Sequence, residues 1–138
     1  MNVSDTTSET TILFACRQNA GRSQIAAALA KQLAPEGVTI LSAGSEPADA
    51  VHPVVVEALA EIGLQPDSQP KPLDPAQVKT SDWVVTMGCG EACPFFPGVH
   101  YQDWKIDDSS DRSLEEVRGI IDQIRTRVQE LLDTVSQG

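Results

Sequence analysis

The sequence predicts a single-domain α/β fold: a parallel sheet with helices on both faces. Three observations carry this prediction. Short, almost wholly apolar runs alternate with segments of helical periodicity, which implies βαβ crossovers. The apolar runs do not alternate polar with apolar, so they suit strands buried on both faces. A length of 138 residues without an internal repeat accommodates one core.

Residues 1–10 are polar and lack both a basic start and an apolar segment, so they read as a disordered tail and not as a signal peptide. The folded domain is expected over residues 11–135. Thr11 to Ala15 forms the first buried strand, and a loop runs from Cys16 to Gly21. From Arg22, residues Ile25, Ala26, Leu29, Ala30 and Leu33 recur at helical spacing until Pro35-Glu36-Gly37 stops them. Val38 to Leu41 is a second strand, closed by Ser42-Ala43-Gly44. Pro53 suits the first position of a helix whose inner face carries Val54, Val55, Ala58, Leu59 and Ile62, with Gly63 as its stop. After a proline-rich loop, a short helix over Pro75 to Lys79 leads into a third buried strand, Trp83 to Met87. Val99 to Trp104 supplies a short fourth strand. The last helix opens with the capping box Ser113-x-x-Glu116. Its apolar stripe, from Leu114 and Val117 through Ile124 to Leu132, reads as core.

Composition narrows the function classes. Ten basic against twenty acidic residues give a net charge of −10, which repels phosphate backbones and argues against nucleic acid as a partner. The chain is 41% hydrophobic without a long apolar run, so no membrane span is expected. With no export signal, the expected location is the cytoplasm. There three cysteines are better suited to reactivity or metal binding than to structural disulfides.

The loop Cys16-Arg17-Gln18-Asn19-Ala20-Gly21-Arg22-Ser23 joins a buried strand to a helix N-terminus. Ligands of parallel α/β sheets bind beyond the carboxyl ends of the strands, where loop N–H groups and the helix dipole form an anion cradle. Gly21 permits the turn, and Asn19 tolerates a left-handed backbone. Arg22 can set a planar fork against two oxygens of a tetrahedral oxyanion. The same surroundings favour a thiolate at Cys16, and Ser23 can donate to its sulfur. The alternative is a small buried cysteine beside a surface arginine.

Cys89 and Cys93 follow the third strand, on a loop that leaves the same edge of a parallel sheet, so the three sulfurs can converge. Inert packing is one alternative for this pair. A zinc site completed by His52 or His100 is another, although Cys-x-x-x-Cys lacks the usual finger spacing. His52 otherwise reads as a helix cap or surface residue, and His100 has no assigned role.

Cys16-x-x-Asn19-x-x-Arg22-Ser23 after an N-terminal strand resembles the low-molecular-weight protein tyrosine phosphatase superfamily, and within it the arsenate reductase branch. The resemblance extends from Thr11 to about Leu132. It includes Arg22-Ser23-Gln24, Ser42-Ala43-Gly44, Thr86-Met87-Gly88-Cys89 and Asp103-Trp104-Lys105-Ile106-Asp107-Asp108. It implies a four-stranded parallel sheet and an oxyanion site over Cys16 to Arg22, formed by the amides of Arg17, Gln18, Asn19, Ala20 and Gly21 with Arg22 and Ser23.

For this branch the resemblance implies arsenate as substrate and a three-thiol relay. Cys16 attacks arsenate, Cys89 then closes a Cys16–Cys89 disulfide, and Cys93 moves it to Cys89–Cys93 for an external dithiol, thioredoxin. Glutaredoxin and low-molecular-weight thiols exchange by the same route. The implied enzyme is a monomer without a bound cofactor or metal. The family pattern places the proton donor at Asp108, with Asp107 as the neighbouring candidate, but Ser109 stands where relatives have proline. Trp104 is a candidate wall of the site. Gly21 and Ala27 replace, respectively, an extra cysteine and a potassium-binding glutamate of some relatives. The competing enzymatic reading is a phosphatase acting through a Cys16 phosphoenzyme. A third reading is an oxyanion-binding or redox-sensing module without turnover.

Overall fold

A computed structural model of the chain describes residues 10–66, 69–88, 94–108 and 112–137. The elements run β1 (Thr10–Cys16), α1 (Arg22–Leu33), β2 (Val38–Gly44), α2 (Pro53–Glu61), α3 (Pro75–Thr80), β3 (Trp83–Met87), β4 (His100–Asp103) and α4 (Leu114–Gln137). The first strand begins one residue earlier than the sequence pattern indicates, because Thr10 N–H bonds Gly37 O at 2.8 Å. The rest of the expected tail, residues 1–9, lies outside the described residues. Ser42-Ala43-Gly44 does not close β2 but continues it, pairing with Phe14, Ala15 and Cys16.

All strand pairs are parallel, in the order β2-β1-β3-β4. This order follows from crossover handedness. The chain steps from β1 to β2 in one direction, then passes back over β1 to reach β3. Right-handed crossovers in opposite directions must lie on opposite faces of a sheet. Ile12, Phe14 and Cys16 join one core cluster with α1, α4 and α2, which the β2-to-β3 connection lays on this face before it crosses to the other. Leu13 joins a second cluster with Ala43, Val84 and Val78 of α3, against which Phe96, Val99 and Tyr101 pack. Both faces are covered, but unequally: three helices on one, a six-residue helix and a loop on the other.

The connections diverge at β1, so a crevice opens where β1 and β3 end, with Cys16 in register with Met87. The helices that frame it are set by local sequence. Ser113 and Glu116 form the expected capping box, with N···O distances of 2.9 and 3.2 Å. Arg118 holds Glu61 through two bonds of 2.8 and 2.7 Å, fastening α4 to α2 at the surface. Among the described residues no helix is long and apolar enough to cross a membrane.

Two stability effects are expected from equilibrium denaturation. Ile124, fully buried on α4, should lose about 2–5 kcal/mol on replacement by alanine, against about 1 kcal/mol for Ser113→Ala at the cap. The Arg118 bonds hold the Glu61 carboxyl below its ordinary value of 4.5. Its contribution is therefore present above that pH and is lost as pH falls through the lowered value. Wild type should lose stability more steeply on acidification below pH 4.5 than Glu61→Gln.

Candidate active site

Cys16 ends β1 in the middle of the sheet and is 2% exposed. Its Sγ lies 2.9 Å from Ser23 Oγ and 3.3 Å from the N–H of Asn19. The Asn19 N–H donates to the sulfur, and the Cys16 thiol and Ser23 hydroxyl share a hydrogen bond. Asn19 has a φ of 52°, the left-handed conformation expected from its residue type. Its side chain locks that conformation: Nδ2 donates to Ser23 Oγ at 2.7 Å, and Oδ1 accepts from Lys71 N–H at 2.9 Å. Gly21 sits at φ −142° and ψ −91°, outside the regions favoured by residues with a Cβ, and precedes the first helical residue, Arg22.

The loop's carbonyls all turn outward and are captured. Cys16 O accepts from Ser45 N–H, Arg17 O from Glu46, Gln18 O from Ala48 and Ala20 O from His52, at 2.7 to 3.1 Å. Asn19 O accepts from Gln24 Nε2 at 3.0 Å, and Gly21 O receives the first turn of α1 through Ile25 N–H. A trans peptide places N–H opposite C=O. Each outward oxygen therefore turns the next residue's N–H toward the loop's centre, and Asn19 N–H on the sulfur displays that direction. The sequence does not announce this capture, because residues 45–52 act through their backbone. Gly44 is the one trace of it. A Cβ there would stand 2.8 Å from Arg17 O and from Asn19 N.

Arg22 closes the cradle from the β3 side. Its Nη1 donates to Ile106 O at 3.1 Å, and Nη2 lies 3.8 Å from Asp108 Oδ2. Gly88, at φ 92°, lets the guanidinium pass over the backbone, since a Cβ would lie 2.7 Å from Nη1. A cleft of about 400 Å³ opens here, lined by Arg22, Gly88, Asp103, Trp104, Lys105 and Ile106. Asp108 is exposed at its rim, and Asp107 is also exposed.

The other residues singled out in the sequence take the following places. The Arg17 side chain points outward to Glu46, so only its peptide group faces the loop. Gln18 is exposed and meets His52 Nε2 at 3.2 Å. His52 precedes α2 without a side-chain cap. His100 begins β4, at the end of the sheet remote from Cys16, and stacks on Trp83. Trp104 is buried against Phe14, with its N–H on Gln102 Oε1. Cys89 and Cys93, and Ser109 beside the proposed acid, lie outside the described residues. Gln24, Gly44, Lys71 and Gly88 belong to the site and carried no role in the sequence reading.

A strand, a cysteine-headed loop and an arginine that opens the following helix make up the candidate site. The family model for low molecular weight phosphotyrosine protein phosphatase matches residues 11–138, and the chain belongs to that family. Within it, the chain is similar to proteins named as arsenate reductases. It is 33% identical to Arsenate reductase 1 of Staphylococcus haemolyticus over 130 residues, 91% of this chain and 96% of that one. It is 30% identical to the glutaredoxin arsenate reductase of Synechocystis over 129 residues, covering 91% and 98%. The solved thioredoxin-dependent arsenate reductase of Corynebacterium glutamicum matches with a TM-score of 0.82 and 42% identity, covering 94% of this chain and 63% of that one.

Gly44→Ala tests the cradle directly. Because the new methyl meets backbone on both sides, inorganic phosphate binding measured by calorimetry should weaken at least about ten-fold while the circular dichroism spectrum is retained.

Proposed function

We propose that this protein is an arsenate reductase that uses Cys16, Cys89 and Cys93 as a thiol relay. The observation that carries the reading is Cys16 Sγ, within hydrogen-bond reach of Ser23 Oγ and Asn19 N–H at the head of a loop whose carbonyls are bonded from outside, with Arg22 opening the next helix. Such a site holds a tetrahedral oxyanion with its central atom facing the sulfur. Two further cysteines after β3 then select reduction over hydrolysis, in keeping with the names its relatives bear.

In the proposed sequence the Cys16 thiolate attacks arsenic, and one arsenate oxygen leaves as water with a proton from Asp108. A bond joins Sγ to As(V). Cys89 next attacks Cys16 Sγ. The S–S bond forms, the S–As bond breaks, and its electron pair stays on arsenic, which departs as arsenite. Cys93 attacks Cys89, frees Cys16 as thiolate and leaves a Cys89–Cys93 disulfide. The two electrons given to arsenic come from two thiols and are restored by an external dithiol. Thioredoxin is the proposed donor, as the name of the Corynebacterium relative suggests, while the Synechocystis relative is named for glutaredoxin. The relay belongs in a compartment that keeps thiols reduced, the cytoplasm.

The test is arsenate-dependent NADPH oxidation with thioredoxin and thioredoxin reductase. Wild type should turn over repeatedly, and Cys16→Ser, Cys89→Ser and Cys93→Ser should each abolish repeated turnover. Asp108→Asn should slow the reaction by about 10²–10⁴-fold. A weak hydrolysis of aryl phosphates that needs Cys16 alone is also expected, since the cradle accepts tetrahedral oxyanions of similar size. Arsenate-silent protein with strong Cys16-dependent phosphate release would make it a phosphatase, and oxyanion binding without either turnover would make it a binding module.

A further inference from the structure

Beyond β3 the chain reaches β4 through Pro94-Phe95-Phe96-Pro97, a segment that neither the cradle nor the proton donor has used. Phe96 is half-buried and packs with Tyr101 of β4 in the cluster on the sheet face opposite Cys16. Phe95 does the reverse. It is 73% exposed, whereas no other large apolar side chain among the described residues exceeds 41%. It is nonetheless held in place. Its ring stacks on Tyr101, with centroids 4.5 Å apart and planes at 25°. The Tyr101 hydroxyl is anchored in turn, accepting from Phe96 N–H at 2.7 Å and donating to Pro94 O at 3.4 Å. No Lys, Arg, Asp or Glu occurs from Pro94 to Gln102, in a chain of which 22% is charged. The segment therefore presents an uncharged aromatic platform to solvent.

Phe95 follows Cys93 by two residues, so in any conformation their Cα atoms lie within about 7 Å of each other. That bound matters for the last step of the proposed relay. A thiolate of the external dithiol attacks Cys93 Sγ, a mixed disulfide forms, and Cys89 leaves as thiolate. The donor's second thiol then attacks the donor sulfur of that bond, Cys93 leaves reduced, and the donor keeps the disulfide. A mixed disulfide holds its two Cα atoms about 4–7 Å apart. A protein donor must therefore lay its surface over the chain beside Cys93, within reach of the Phe95 ring. Resting on the reading of Cys93 as the last thiol of the relay, we infer that Phe95, stacked on Tyr101, is the docking contact for a thioredoxin-type dithiol protein. An aromatic anchor that is already held in place contributes to association without a further loss of rotamer freedom. A small thiol reaches the same disulfide without needing this surface.

The experiment oxidises wild type, Phe95→Ser and Phe95→Tyr by one turnover of arsenate, records the arsenite released, and then times reduction of the enzyme by reduced thioredoxin and, separately, by dithiothreitol. Phe95→Ser should slow reduction by thioredoxin at least about ten-fold, as truncation of an interface aromatic does, and leave reduction by dithiothreitol within about two-fold of wild type. Phe95→Tyr keeps the ring and should stay within about three-fold of wild type with both reductants. Phe95→Gln gives a second truncation should Phe95→Ser melt below wild type, and the same loss is expected of it. Truncated variants that thioredoxin reduces as fast as wild type overturn the inference. So do variants slowed equally with both reductants, because Phe95 would then act on the disulfide and not on the donor. Wild type that releases arsenite but is reduced no faster by thioredoxin than by dithiothreitol overturns the inference and leaves the relay standing. Wild type that releases no arsenite overturns the relay, and the inference with it.

Discussion

The capture of the Cys16–Gly21 carbonyls is the constraint on which the site depends. An oxyanion loop must turn several consecutive N–H groups toward one point, and it can do so only if the paired oxygens find donors on the other side. Here those donors come mostly from one short stretch, Ser45 to His52, running outside the loop as an outer belt. Gln24 and the first turn of α1 complete the set. The loop is thus organised by its own hydrogen bonds, and fixed dipoles of this kind are effective in binding and catalysis. Gly44 is where belt and loop come closest, which explains why no side chain is accommodated there.

The sheet determines which segments can share this point. Because β1 is central and its neighbours are filled in opposite directions, the ends of β1 and β3 face each other across a crevice without an intervening connection. Arg22 enters from one side as the first residue of α1, and Gly88 yields space for it from the other. The unequal covering of the two faces follows the same logic. The long helices pack on the sheet face that carries Cys16, while the thinner layer covers the opposite face.

Much of this was legible in the sequence because it is written in side chains. Cys16, Asn19, Arg22 and Ser23 have spacings that make sense only around a single loop, and the Ser113–Glu116 box and the stripe of α4 are side-chain patterns too. What stayed hidden is written in the backbone or in long-range register. Residues 45–52 hold the cradle through N–H groups that every non-proline residue possesses, so their identity carries no signal. Lys71 meets Asn19 across 52 positions of sequence, through a bridge to the end of β2 that no local periodicity foretells. Trp104 lines the cleft as the sequence suggested, and its burial against Phe14 is possible because Gln102 satisfies its N–H. Ser42-Ala43-Gly44 read as the close of β2, whereas the strand continues through it to Gly44, whose missing side chain leaves room for the loop.

The near-complete enclosure of Cys16 has a bearing on selectivity among reagents. A sulfur sunk in a ring of amides admits a compact oxyanion, yet it shuts out a peptide-sized disulfide or a bulky electrophile on steric grounds alone. Bulky cellular disulfides are in this way kept from the sulfur proposed to take the oxyanion. Under oxidative or electrophilic stress the same enclosure shields Cys16 from bulky reagents.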